Sequence, residues 1–212
     1  MNRRSIILAT VAVAAGAFAI GAATYRPATN TTEGLIRAHS PIMGAPNAPV
    51  TIVEFFDPAC ESCRAVYPYL KQILARHPKD VRVVVRYAAF HPGSDEAVKI
   101  IEAARLQDKF LPVKEALLEQ QPAWADHGRP DISRAWAAAA SAGLDIARAR
   151  ADVRLPRFDE LLRQENADIA TFEVKQTPTF FVNGTPIRPL TLRGLNAAVD
   201  DAVAAARKTA GR

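Results

Sequence analysis

Two stretches of this chain are apolar at nearly every position: Val50-Thr51-Ile52-Val53-Glu54-Phe55-Phe56 and Val81-Arg82-Val83-Val84-Val85-Arg86-Tyr87. Both are rich in β-branched and aromatic residues, and each predicts a strand. The near-continuous run of the first predicts a sheet covered on both faces. Between them, residues 64–74 carry the apolar spacing of a helix, with Pro68 inside it as a predicted kink. His77-Pro78-Lys79-Asp80 ends that helix. Strand, helix and strand at these lengths predict a βαβ unit with parallel strands. Before it, Ser40-Pro41-Ile42-Met43-Gly44 adds a short edge strand, where proline is tolerated.

From Ser94 to about Phe172 the period becomes helical. Ser94-Asp95-Glu96 opens a first helix through Ile100, Ile101 and Leu106. A second runs from Lys109 to Gln121, and residues 121–130 read as a loop. Asp131 caps a third helix that Gly143 stops, Asp145 opens a short fourth, and Pro156 begins a fifth. Trp124 and Trp136 read as packing residues of this block. Strand character returns at Thr177-Pro178-Thr179-Phe180-Phe181-Val182. Asn183-Gly184 then predicts a tight hairpin, with Thr185-Pro186-Ile187-Arg188 returning. A last helix spans 191–208, with Leu192, Leu195, Ala198, Val199 and Ala202 on one face.

The start of the chain follows another pattern. Arg3 and Arg4 precede an uncharged, Ala-rich run over residues 5–25, which predicts an export signal or an uncleaved N-terminal membrane anchor. Both readings place the rest of the chain in the periplasm or another extracytoplasmic space. Residues 26–39 read as a linker. The formal charge of +5 is spread along helices and loops, and no basic run interleaves with aromatics, so nucleic-acid binding is not expected. No long amphipathic stalk precedes the domain, which predicts a monomer.

Chemistry concentrates in Asp57-Pro58-Ala59-Cys60-Glu61-Ser62-Cys63, which holds the only two cysteines. The strand-to-helix setting puts Cys60 at a helix N-terminus, where unpaired N–H groups and the helix dipole favour a thiolate. Cys63, one turn in, is the candidate resolving thiol. Three function classes use these atoms. The first is a redox dithiol exchanging disulfides with exported proteins. The second is a soft-metal protein, for instance for Cu(I), holding metal on the two sulfurs. The third is a peptide-binding module in which the thiols are incidental. A zinc site would need two further ligands, and the four histidines show no ligand spacing. Glu54, six residues before Cys60, is either a solvent-facing strand residue or a buried carboxylate that accepts the proton of Cys63.

Taken in order, these features resemble one family: strand, C-x-x-C at a helix start, Pro68 five residues past Cys63, strand, helical insertion, Thr-Pro, hairpin, helix. Over roughly residues 40–208 the chain resembles the DsbA-like branch of the thioredoxin superfamily. The resemblance implies an α/β, thioredoxin-like fold over 40–92 and 171–210, interrupted by an all-helical domain at 93–170. It implies Cys60 as attacking and Cys63 as resolving thiol, and Glu54 as the carboxylate beneath them. It also implies a cis Thr177-Pro178 bond, with Thr177 backbone groups pairing with an extended substrate peptide. The implied activity is that of a protein-disulfide oxidoreductase with no added cofactor, exchanging electrons with a membrane redox partner.

One departure bears on direction. Strongly oxidising members of the family carry Pro-His between the cysteines, where this chain has Glu61-Ser62. A glutamate opposes a neighbouring thiolate. Asp57 and Glu61 together predict an acidic surface beside Cys60, only partly offset by Arg64. The expectation is a Cys60 less acidic than in the strong oxidants, and hence a milder oxidant or a reductase.

Overall fold

A computed structural model of the chain describes residues 34–126 and 129–211. The leader reading of residues 1–25 lies outside the described residues. Among the described residues no helix is long and apolar enough to cross a membrane.

The apolar runs pair as one mixed sheet of β1 (Ile42–Gly44), β2 (Val50–Phe56), β3 (Val81–Tyr87), β4 (Thr179–Val182) and β5 (Thr185–Pro186). Its order is β1-β3-β2-β4-β5. β2 and β3 are parallel, joined through α1 (Glu61–Arg76), and every other pairing is antiparallel. β2 is therefore central, and all seven of its residues are buried. This explains its continuous apolar reading, since a strand covered on both faces has no solvent side to alternate toward.

The two faces are distinct. Val50, Ile52 and Phe56 of β2, with Val81, Val83, Val85 and Tyr87 of β3, pack into a large cluster under α1 and α8 (Leu192–Ala210). Val53, Phe55 and Val84 pack on the other face with Leu35, Val174 and Phe181. There Phe55, Phe172 and Phe181 meet edge to face or tilted, with centroids 6.0–6.3 Å apart. Each fully buried aliphatic side chain contributes about 1.5–3 kcal/mol relative to exposure.

Between β3 and β4 the chain is helical: α2 (Ser94–Arg105), α3 (Phe110–Glu119), α4 (Gln121–Trp124), α5 (Ile132–Ser141), α6 (Ile146–Asp152) and α7 (Pro156–Thr171). The caps fall where the sequence puts them. Asp131 accepts from Ser133 N, and Asp145 accepts from Arg148 N. Gly143 takes the left-handed conformation (φ 83°) that stops α5. Asn183 and Gly184 both have positive φ, as a two-residue hairpin turn requires. Residues 121–124, read as loop, instead form the short helix α4, with Gln121 and Trp124 buried. This helical stretch shares the large cluster with the sheet: Ile100, Val113, Leu117 and Trp136 belong to the same core as Val83 and Phe56.

The linker reading of 26–39 does not hold at its end. Leu35 is buried, Arg37 pairs with Asp168 of α7, and His39 Nε2 lies 2.8 Å from Glu165 Oε1. The cause is Arg86, fully buried in β3, whose Nη1 donates to the carbonyls of Gly34 (2.9 Å) and Leu35 (2.7 Å). A polar reading of the segment missed that its partners lie far along the chain.

Candidate active site

The carboxyl end of β2 delivers the chain into the C-x-x-C turn. Cys60 is the N-cap of α1, with extended backbone (φ −81°, ψ 120°). Cys63 lies in the first turn and is fully buried, whereas Cys60 keeps 5% of its surface exposed. Both are free thiols. Reagents in solvent therefore meet Cys60 first. Asp57 N donates to Cys63 Sγ at 3.5 Å, and Cys60 Sγ donates to Thr177 O at 3.3 Å. The Thr177–Pro178 bond is cis.

The environments split the two sulfurs. Hydrogen bonding from the Cys63 thiol, opposed by burial and aided by the Thr177 side chain and the backbone N–H groups of Cys63 and Ser62, lowers the Cys60 pKa to about 5. Burial, then the bond to Cys60 and the nearby charges of Glu54 and Cys60, pushes Cys63 far upward. One sulfur is thus a thiolate at neutral pH, while the other holds its proton. Ser62 acts here through its backbone, since its side chain is exposed.

Glu54 is not solvent-facing. It is fully buried on the α1 side of β2, opposite Val85 and Phe180, and neither carboxylate oxygen has a hydrogen-bond partner. Burial raises its pKa, the Lys114 charge opposes this, and the Cys60 charge adds to it. Lys114 of α3 is the complement. It is 1% exposed, and its Nζ also lacks a hydrogen-bond partner. Nζ stands 3.9 Å from the Tyr67 ring centroid and 4.5 Å from that of Phe56. Burial lowers its pKa, against the pull of Glu54, Cys63 and Glu115. The helical stretch supplies a second contact: Gln121 Nε2 donates to Pro58 O (2.7 Å) and Cys60 O (3.1 Å), while its Oε1 accepts from Arg64 Nε (3.1 Å).

Asp57 corrects the expectation of an acidic surface. It is fully buried. Its Oδ1 accepts from Ala59 N (2.9 Å) and the Ser94 hydroxyl. Its Oδ2 accepts from Phe90 N (2.8 Å), His91 N (3.0 Å) and His91 Nδ1 (2.7 Å). Five donors on one carboxylate leave nothing of it facing solvent. Arg64, read as offsetting this acid, turns to Gln121 instead.

Sequence reasoning named Cys60, Cys63, Glu54, Glu61, Ser62, Thr177 and Pro178 as candidates, and the structure places the two cysteines, Ser62, Glu54 and Thr177 close together. It missed Lys114, Gln121 and His91. The signal for the first two was available: Lys114 and Gln121 stand at i and i+7 on a face shared with Leu117 and Leu118. Polar residues at core positions of a helix are the readable anomaly.

A family model described as thioredoxin matches residues 37–201. A thioredoxin-like oxidoreductase from Silicibacter pomeroyi DSS-3 superposes with a TM-score of 0.68 at 27% identity, covering 79% of this chain and 94% of that one. Wolbachia pipientis alpha-DsbA1 superposes with a TM-score of 0.69 at 15% identity, covering 82% and 96%, a likeness of fold alone. A Na(+)/H(+) antiporter NhaA 1 of Mycolicibacterium gilvum is 30% identical over 185 residues, taking in 79% of this chain and 29% of the antiporter. The chain thus spans under a third of the length of the curated relatives it matches. With its helical stretch set between β3 and β4, as in the fold it shares with alpha-DsbA1, and the C-x-x-C at the start of α1, the chain belongs to the thioredoxin family.

Proposed function

We propose that this chain is a protein thiol–disulfide oxidoreductase acting outside the cytosol on cysteine-containing proteins, with a membrane redox partner restoring its dithiol. The observation that carries it is the asymmetry of the two sulfurs: an accessible Cys60 held near pKa 5 over a sealed, protonated Cys63. As a reductant, the Cys60 thiolate attacks one sulfur of a client disulfide and expels the other as a thiolate. The Cys63 thiol then gives its proton to Glu54 and attacks Cys60. This closes the Cys60–Cys63 disulfide and releases the second client thiolate. As an oxidant the same steps run in reverse. Thr177 and Pro178 offer the backbone edge on which an extended client lies. A Cys60 near 5 falls between the ~3.5 of DsbA and the ~7 of thioredoxin, which supports the milder-oxidant reading.

Trapping tests the roles. Cys63→Ala should accumulate client mixed disulfides, visible as reducible adducts on non-reducing gels, and Cys60→Ala should accumulate none. Equal trapping by both removes the assignment. Adducts on Cys60→Ala alone reverse it.

A further inference from the structure

His91 lies on the loop after β3, and the mechanism above does not use it. Three bonds from residues 90 and 91 to Asp57 Oδ2 fix the loop and aim the ring: Phe90 N, His91 N and His91 Nδ1. Asp57 is itself part of the dithiol turn. Its N–H reaches Cys63 Sγ, and its carbonyl accepts from Cys60 N at 3.2 Å. The imidazole therefore hangs from the same residue that bonds the Cys63 sulfur and the Cys60 backbone. The His91 side chain is 35% exposed, whereas the carboxylate holding it is fully buried. The negative charges of Asp57 in the dithiol turn, and of Cys60 and Glu61 at the cap and first turn of α1, act on the ring. From α2 the neutral Ser94 hydroxyl shares Asp57.

We propose that His91, held by the buried Asp57, is the cation that faces the Cys60 thiolate, set on a neighbouring loop rather than between the two cysteines. Glu61 and Ser62 cannot supply that cation from within the C-x-x-C. Asp57 is then a positioning residue and His91 a tuning one. Burial works against the imidazolium, but Asp57, then Cys60 and Glu61, outweigh it and raise the His91 pKa above its ordinary 6.5. Between the Cys60 value and the raised His91 value the ring and the thiolate are charged together. When the pH rises past the His91 value the cation is lost, and the thiolate becomes more basic and more nucleophilic. The alkylation rate of the reduced protein should therefore climb in two steps. The first follows Cys60 near pH 5, and the second follows His91 at a pH above 6.5.

The inference rests on Cys60 being the nucleophile, so the experiment reads both. Reduced wild-type protein and His91→Gln are alkylated with iodoacetamide across pH, with the modified cysteine identified by mass spectrometry and the thiolate followed by its absorbance. Label on Cys60, two steps in wild type, and one step in His91→Gln displaced upward by about one pH unit are expected. An unchanged Cys60 titration in the variant overturns the role of His91 while leaving the oxidoreductase reading intact. Label confined to Cys63 overturns both. A second measurement needs no variant: linkage makes the coupling reciprocal. The His91 ring, followed by NMR, should titrate at a higher pH in the dithiol form than in the disulfide form. Equal values in the two forms overturn the inference.

Discussion

Two buried charge clusters lie on opposite faces of the same sheet, and they are built on opposite principles. On one face, every nitrogen of the Arg86 guanidinium is hydrogen-bonded. Nε bonds Glu165 (3.0 and 3.1 Å), Nη2 meets Glu165 (2.9 Å) and Asp168 (2.5 Å), and Nη1 takes two backbone carbonyls. Asp168 takes a second guanidinium from Arg37. On the other face, Glu54 and Lys114 feel each other's charge but neither has a hydrogen bond. A fully satisfied cluster has no lower-energy arrangement to move to, so it fixes geometry. An unsatisfied one holds groups whose protonation is easily exchanged. The second kind stands beneath the dithiol, where protons must move.

The sharpest break of this comparison is Arg86→Met. It removes the buried guanidinium that Glu165, Asp168 and two carbonyls share, leaving the carboxylates only Arg37, Gln164 and His39, and it should cost about 3–5 kcal/mol in denaturant unfolding of the reduced protein. The Cys60 titration should stay unchanged. If stability holds, the cluster on that face is not structural. Replacing the other pair together, as Glu54→Leu with Lys114→Met, should leave stability unchanged or raise it by about 1–4 kcal/mol, because an unpaired buried couple is exchanged for packed apolar groups. The same double variant should slow release of a preformed Cys60 mixed disulfide by about 100-fold, the low end of what a positioned proton acceptor supplies. Stopped-flow release at wild-type speed removes Glu54 from the mechanism.

The smallest effect is a difference in slope with pH. Burial pushes Asp168 up, but hydrogen bonds from Arg37 and Arg86 outweigh it and hold its pKa below 3.8. The stability it contributes is complete above 3.8 and is lost as pH falls through its folded value. Glu54 is shifted the other way, above 4.5. Its penalty is absent below 4.5 and grows as pH rises from there toward the folded value. Urea midpoints between about pH 3 and pH 8 should therefore show Asp168→Asn flattening the acid side. The Glu54→Leu, Lys114→Met protein should gain most over wild type toward neutral pH. Parallel curves for all three proteins would mean that the clusters do not differ in this way.

Local structure was legible wherever neighbours in sequence decide it. The apolar runs, the caps at Asp131 and Asp145, the Asn183-Gly184 turn and the C-x-x-C at a helix start all depend on residues within a turn or two. Buried charge was not, because its partners are distant. Arg86 read as an ordinary strand residue, and its carboxylates lie 79 and 82 positions on. Asp57 read as surface acid, yet its burial depends on a loop 33 to 37 residues away. Glu54 was open between two readings until the resemblance weighed in. The reason is physical: an isolated strand does not reveal which face the rest of the chain will cover.

The reach of Gln121 and Lys114 into the dithiol turn bears on how such a protein can be altered. The helical stretch is not a module that can be exchanged freely for another. A chimera carrying a foreign helical block would lose the amide that ties down the carbonyls of Pro58 and Cys60, along with the only described cation beside Glu54. Its thiols would keep their spacing and their helix, but not the surroundings that set them apart. For redesign, the unit of inheritance is the sheet end together with one face of α3 and the start of α4.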